Sequence, residues 1–214
     1  MSEISIACLP VGDLQANCYI LGCPETKNGV IIDPGGDPDV ITEYIGQEEL
    51  TPTHLINTHG HFDHIGANRE LKELYPDMQV CAHKDDAPML PKPFRNYSVL
   101  QGTFYKSPLA EVLLEDESVV TTGSITLKVI HTPGHTPGGI CLVLSGKPTQ
   151  IFSGDTLFAG GVGRTDFPGG DGEALFASIR DRLYKYPDDT IVYPGHGPAT
   201  IIGEERRTNP FVCG

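Results

Sequence analysis

The sequence contains no tryptophan, no run of about 18 apolar residues, no C-x-x-C pair and no cluster of five or more basic residues. Without a long apolar run, there is no helix to cross a bilayer. The six cysteines, at 8, 18, 23, 81, 141 and 213, therefore read as reduced and mostly buried thiols, with Cys213 expected to be the most exposed. A formal net charge of −13 with no basic cluster argues against nucleic acid and anionic membranes as partners. An anionic small substrate would need a local positive site. No G-x-S-x-G elbow offers a serine nucleophile. The start, Met1-Ser2-Glu3-Ile4, has no basic stretch leading into an apolar one, and no lipidation motif closes the chain, so the expected location is the cytoplasm.

What is present fits one globular domain spanning 1–214, with 39% hydrophobic and 20% charged residues and no linker or short repeat. Short strand-like runs punctuated by Pro and Gly cover 4–9, 17–21, 30–33, 53–57 and 79–82. They return at 110–114, 119–120, 125–131, 139–144, 150–153 and 190–193. Helical patterns fall at 38–47, with Asp37 as N-cap, at 65–75, where apolar residues recur at 65, 67, 71 and 74, and at 173–184. A terminal turn is expected at 204–208. Residues 87–108, rich in Pro and aromatic side chains, read as a packed loop or a substrate wall. The two halves share a coarse symmetry, strands then a helix, which suits a helix–sheet–sheet–helix sandwich without singling it out among α/β arrangements.

The most informative segment is His59-Gly60-His61-Phe62-Asp63-His64, which holds three of the eight histidines. In an extended stretch alternate side chains share a face, so His59 and His61 can hold one ion together. Asp63 and His64 lie where the chain turns into a helix and can point toward a second. Imidazole and carboxylate suit Zn, and also Fe, Mn or Ni. Further donors must come from elsewhere. His135, Asp155 and His196 each follow a strand in a Gly- or Pro-marked turn: Thr132-Pro133-Gly134-His135, Ser153-Gly154-Asp155 and Pro194-Gly195-His196-Gly197. His54, His83 and His131 read as structural, although His131 lies four residues before His135.

From Asp33-Pro34-Gly35-Gly36 through the motif at 58–64 to Asn209-Pro210-Phe211, the chain resembles the metallo-β-lactamase superfamily. Within it, the chain is similar to the compact bacterial type of glyoxalase II-like (hydroxyacylglutathione hydrolase-like) thioesterase. The resemblance implies an α/β fold, the four-layer αββα metallo-β-lactamase sandwich, with metals at one edge of the sheets. It implies that His59, His61 and His135 bind a first metal, that Asp63, His64 and His196 bind a second, and that Asp155 bridges both. It also implies that Asp33 orients the His-rich loop.

Two divalent ions roughly 3.5–4 Å apart can share a water and lower its pKa toward about 7. The expected reaction is attack of that metal-bound hydroxide on a carbonyl, with Asp63 and Asp155 as the catalytic carboxylates. A thioester suits this chemistry, because its thiolate departs without a strong general acid. S-D-lactoylglutathione or a similar acyl-thiol is the expected substrate. The chain ends soon after His196, as in relatives without the C-terminal helical region that helps bind glutathione, which leaves the thiol carrier open. Arg164 is the candidate for a substrate carboxylate, against a structural pair with Asp166 or Asp171. One alternative is a mononuclear Fe(II) persulfide dioxygenase using His59, His135 and Asp155. β-Lactam hydrolysis and nuclease activity are less favoured, the first for want of a secretory signal and the second for the net charge. A non-catalytic binding module on the same fold is the last reading. The oligomeric state is not legible.

Overall fold

In the computed structural model, residues 4–213 are described; the Met1–Glu3 stretch read above for a signal, and Gly214, lie outside them. The first half builds one six-stranded sheet from β1 (Ser5–Val11), β2 (Ala16–Gly22), β3 (Asn28–Ile32), β4 (Thr51–Asn57), β5 (Gln79–His83) and β6 (Val112–Leu114), in that spatial order. β1 to β3 form an antiparallel meander; β3 to β6 run parallel. Parallel neighbours need crossovers. Helix α1 (Pro38–Gln47) supplies the first, and α2 (Phe62–Ile65) with α3 (Asn68–Leu74) the second.

The second half contributes β7 (Val119–Thr122), β8 (Ile125–His131), β9 (Ile140–Leu144), β10 (Gln150–Gly154), a small hairpin of β11 (Leu157–Phe158) and β12 (Gly161–Val162), then β13 (Ile191–Pro194) and β14 (Thr200–Ile201). The second sheet runs β14-β13-β10-β9-β8-β7, with only β10 and β13 parallel. Helix α4 (Gly172–Ser178), extended by a π-helical turn at Ile179–Leu183, connects β12 to β13, and α5 (Ile202–Thr208) follows β14.

The period of two along each strand sorts side chains into layers. Ile20, Ile31, Leu55 and Val80 pack with Ile41, Ile45 and Leu71 of α1 and α3. Their sequence neighbours Leu21, Val30, Ile32 and Ile56 turn the other way and meet Leu127, Val129, Leu142 and Phe152 of the second sheet. Ile130, Val143, Ile151 and Val192 face outward again, onto Leu175, Ile179 and Ile202. Three apolar seams between four layers give the αββα metallo-β-lactamase sandwich.

Three local expectations change. Asp37 occupies the N-cap position but makes no side-chain cap; its carboxylate accepts the Gly12 N–H instead, at 2.8 Å. The helix expected over 65–75 is broken at Gly66–Ala67, because the Ala67 N–H goes to the Pro34 carbonyl (2.9 Å) rather than back along a helix. The segment 158–172, whose six glycines predict a loop, begins inside a short hairpin, Leu157–Phe158 paired with Gly161–Val162. Among the thiols, Cys18, Cys23, Cys81 and Cys141 are buried, while Cys8 joins Cys213 at the surface.

Candidate metal centre

β4 ends at Asn57; the chain then bends at Thr58 and His59 before reaching α2, whose N-cap, His61, is extended. Asp33, in the left-handed region at φ 52°, fixes this passage. Its Oδ1 accepts the Thr58 N–H at 2.7 Å and its Oδ2 accepts the Thr58 hydroxyl at 2.6 Å. The Thr58 carbonyl accepts the Ile140 N–H (2.9 Å), tying the passage to the second sheet. His59 and His61 project from it beside His135, which stands in the turn between β8 and β9. The three rings form a near-equilateral triangle, with centroids 4.8, 4.7 and 4.6 Å apart. All three are buried.

His135 Nδ1 donates to the Arg164 carbonyl at 2.7 Å, so its proton is on that nitrogen and Nε2 carries the free lone pair. His59 Nε2, His135 Nε2 and Asp155 Oδ1 are buried and have no hydrogen-bond partner. Leaving such atoms unpaired is costly unless something else takes them. A cation held by lone pairs is what these donors fit.

His64 is fully buried, and its Nδ1 lies 3.1 Å from Asp33 Oδ2, which directs Nε2 inward. That Nε2 is 3.3 Å from His196 Nε2 and 3.6 Å from Asp63 Oδ2, and His196 Nε2 is 3.2 Å from the same Asp63 oxygen. Asp155 lies between the two groups. One oxygen is 3.4 Å from His64 Nε2; the other is 3.6 Å from His135 Nε2 and 3.9 Å from His196 Nε2. All seven side chains named as donors from the sequence thus converge. Six of them fall into a His59/His61/His135 group and an Asp63/His64/His196 group, with donor atoms in each within 4.8 Å of one another; Asp155 lies between, and Asp33, His59 and His64 form an overlapping third group. Such His/Asp clusters suit divalent metals.

The electrostatics of the metal-free chain agree with this division. Burial, reinforced by neighbouring imidazoles, holds His59 and His61 well below the usual histidine range, so both keep free lone pairs. Burial also works against charge on His64, but Asp155, Asp63 and Asp33 outweigh it and raise His64 to about 10. Burial opposes ionisation of Asp63 as well, yet His64 and His196 bring its carboxyl below the ordinary value. Carboxylates crowd the second group enough to hold a proton where a metal would sit.

The centre opens into a groove of about 150 Å³ bordered by Leu14, Tyr97, Leu100, Arg164 and Phe167. Tyr97 packs on His61 (5.2 Å) and Phe167 (4.6 Å), and its hydroxyl donates to the Pro168 carbonyl at 3.2 Å. Part of the 87–108 loop therefore forms a wall of the site. Arg164 lines the groove, but its Nε and Nη2 donate to the two Asp166 oxygens at 2.7 Å each, and its guanidinium lies 3.9 Å over the Phe167 ring. Asp171 is not a partner of Arg164; it caps α4 by accepting the Ala174 N–H.

Asn17 escaped the sequence reading. Its Nδ2 donates to the Pro194 and Gly197 carbonyls, both at 2.9 Å, and its N–H donates to the Gly195 carbonyl, so it grips the turn that carries His196. Its one signal is a polar residue opening an apolar strand. His54 sits on β4 beside Thr53, away from the centre. His83 and His131 stack face to face at 4.2 Å near Asp85, but parallel rings send their lone pairs side by side, and His131 Nε2 already contacts the Pro137 carbonyl at 2.9 Å.

Comparison with known proteins places this arrangement. Residues 11–196 match the model of the metallo-β-lactamase superfamily. The chain is 37% identical over 215 residues to the Haemophilus influenzae protein named hydroxyacylglutathione hydrolase GloC, covering 98% of each chain. Among solved structures it is similar to BLEG-1, described as a B3 metallo-β-lactamase, with a TM-score of 0.92 and 39% identity over 98% of this chain and 100% of that one. It is also similar to TTHA1623 in a di-iron-bound form, with a TM-score of 0.85 and 38% identity over 96% of this chain and 100% of that one. Sequence match, shared sandwich and shared extent agree, and the chain belongs to the metallo-β-lactamase superfamily.

Proposed function

We propose that residues 1–214 act as one unit, a dinuclear metal-dependent hydrolase that cleaves a thioester such as S-D-lactoylglutathione. In this reading His59, His61 and His135 hold one ion, Asp63, His64 and His196 hold the other, and Asp155 touches both. The observation that carries it is the convergence of buried His59 Nε2, His135 Nε2 and Asp155 Oδ1, none of them in a hydrogen bond, beside the second donor group. Similarity to GloC along 98% of the chain supports the substrate class. Divalent ions, Zn in first place with Fe or Mn as alternatives, would supply an activated water and Lewis acidity toward a carbonyl.

The chain's own residues supply position and selection. Asp33 sets the ring of His64, and the Arg164 carbonyl sets the ring of His135. Tyr97, Phe167 and Leu100 give the groove apolar walls for an acyl or thiol substituent. Asp166 takes the Nε/Nη2 edge of Arg164, so a substrate carboxylate would meet the remaining Nη1. The substrate is expected to be a small molecule; among the described residues no helix is long and apolar enough to cross a bilayer.

The test is kcat/KM for S-D-lactoylglutathione on protein loaded in turn with Zn, Fe and Mn, with a cephalosporin assayed alongside because of the likeness to BLEG-1. A thioester value above about 10⁴ M⁻¹s⁻¹ with negligible β-lactam turnover supports the reading. Turnover of the cephalosporin alone would move the chain to the other substrate class. Inactivity on both, with oxygen consumed by the iron form on a persulfide, would favour the dioxygenase. Ligand binding without any turnover would leave the binding module.

A further inference from the structure

Asp86 is a fully buried carboxylate that the reading above does not use. It lies in the turn that follows β5, held there by bonds from the Asp86 and Ala87 N–H groups to the His83 carbonyl. Among the described residues no lysine, arginine or histidine forms an ion pair with it. Instead, its Oδ2 accepts the Gly60 N–H at 3.0 Å and its Oδ1 accepts the Gly138 N–H at 2.7 Å. Gly60 stands between His59 and His61. Gly138 closes the turn that carries His135. One carboxylate therefore grips both segments that supply the three-histidine group, 26 and 52 residues away in the chain.

Packing shows the same close fit. A Cβ on Gly60 would come within 2.8 Å of Met89 Cβ, in the turn begun by Asp86. A Cβ on Gly138 would come within 2.5 Å of the Asp86 N and 2.7 Å of its Oδ1. Both partners must present bare backbone for the carboxylate to reach. Gly60 is thus needed to admit this turn. Burying a carboxylate with no cation beside it is unfavourable on its own. Its charge, aimed at the backbone of the three-histidine group, is compensated when a cation sits there.

We propose that Asp86 is a positioning residue for the His59/His61/His135 metal site: it clamps the two ligand-bearing loops in register and favours a cation between them. The inference rests on the reading of these three histidines as metal ligands. It concerns the first group, since the N–H groups its carboxylate accepts lie between His59 and His61 and three residues after His135, while it makes no bond to the turns carrying Asp155 and His196.

The experiment is a competition titration of metal-free full-length protein with Co(II) against a chromophoric chelator, resolving two binding events, on wild type, Asp86→Asn and His59→Ala. His59→Ala identifies which event belongs to the three-histidine group. Asp86→Asn keeps the shape but faces one N–H donor with an amide. The expected result is a 10- to 100-fold weaker first-group event with the other within about threefold. Equal weakening of both events, or of neither, overturns the clamp while leaving the two-ion reading intact. Uptake of fewer than two ions by wild type, or an unchanged pattern in His59→Ala, overturns the site reading and the inference with it. A second measurement needs no variant: hydrogen exchange of the Gly60 and Gly138 amides in metal-free wild type. Protection of both supports a preformed clamp; free exchange of either overturns it.

Discussion

Asp33 and Asp155 show how much a single carboxylate can carry. Asp33 accepts from the Thr58 N–H, the Thr58 hydroxyl and the His64 ring with no exposure to water. Asp33→Ala strands those donors and should cost on the order of 3 kcal/mol of stability. It should also weaken the metal at His64 by roughly 10- to 100-fold. Urea denaturation and chelator competition would check the two effects separately. Asp155→Ala should lower metal content and turnover together, measured by elemental analysis and thioester hydrolysis; full activity with two bound ions would refute a bridging role. Arg164→Ala should mainly raise KM for anionic thioesters, with kcat little changed. Its pair with Asp166 is exposed and worth little to the fold, so a large loss of stability instead would be unexpected.

Strands and helices were legible where their causes are local. The helix at Pro38–Gln47 and the strand at Ile125–His131 have the bounds their sequence patterns predict, because Pro38 opens the first and alternating apolar residues define the second. The break at Gly66–Ala67 was not legible, since its cause is a carbonyl at Pro34, more than thirty residues back. The same contrast holds at the centre. The seven candidate donors stand in short motifs with turn residues around them, so the pattern marks them as candidates and the family resemblance allots them to two metals. Asn17 and Asp86 act through partners brought near only by folding, so the sequence offers at most a polar residue in an apolar strand for Asn17 and nothing for Asp86, while Tyr97 is marked only as one aromatic of the 87–108 segment. Between the sheets, Phe152 packs against Tyr19 and Tyr193 with centroids 5.2 Å away from each. Phe152→Ala should cost about 3–5 kcal/mol by opening a cavity in that seam. A shift of the urea midpoint without a change in m value would confirm a loss of packing rather than of fold.

The protein as a whole carries a proton balance that the metal should erase. In the metal-free chain, His59 and His61 resist protonation, so the unfolded state binds more protons once pH falls below about 6.5, and stability drops with pH there. His64 does the reverse. Its folded value near 10 gives stability that is complete below about 6.5 and is lost as pH rises through about 10; His196 shifts in the same direction. The chelator-treated protein should therefore be destabilised on both sides of a maximum. Ions that replace the proton on His64 should raise Tm and flatten the alkaline limb. Thermal melts across pH, with and without metal, read this directly, and a metal-independent profile would count against ligation by these histidines.

The donors come from both halves of the chain: four from residues 59–64, before the second sheet begins, and three from 135, 155 and 196, within or after it. While the chain is being synthesised, the first four emerge well before His135, Asp155 and His196. The seven candidate donors come together only once the two sheets have closed on each other. Loading would then follow folding. Affinities of such N/O donor sets rank metals in much the same order everywhere, so the ion acquired depends on which divalent pool the finished chain meets. The same polypeptide, made under zinc or iron limitation, would then carry different metals in an unchanged fold.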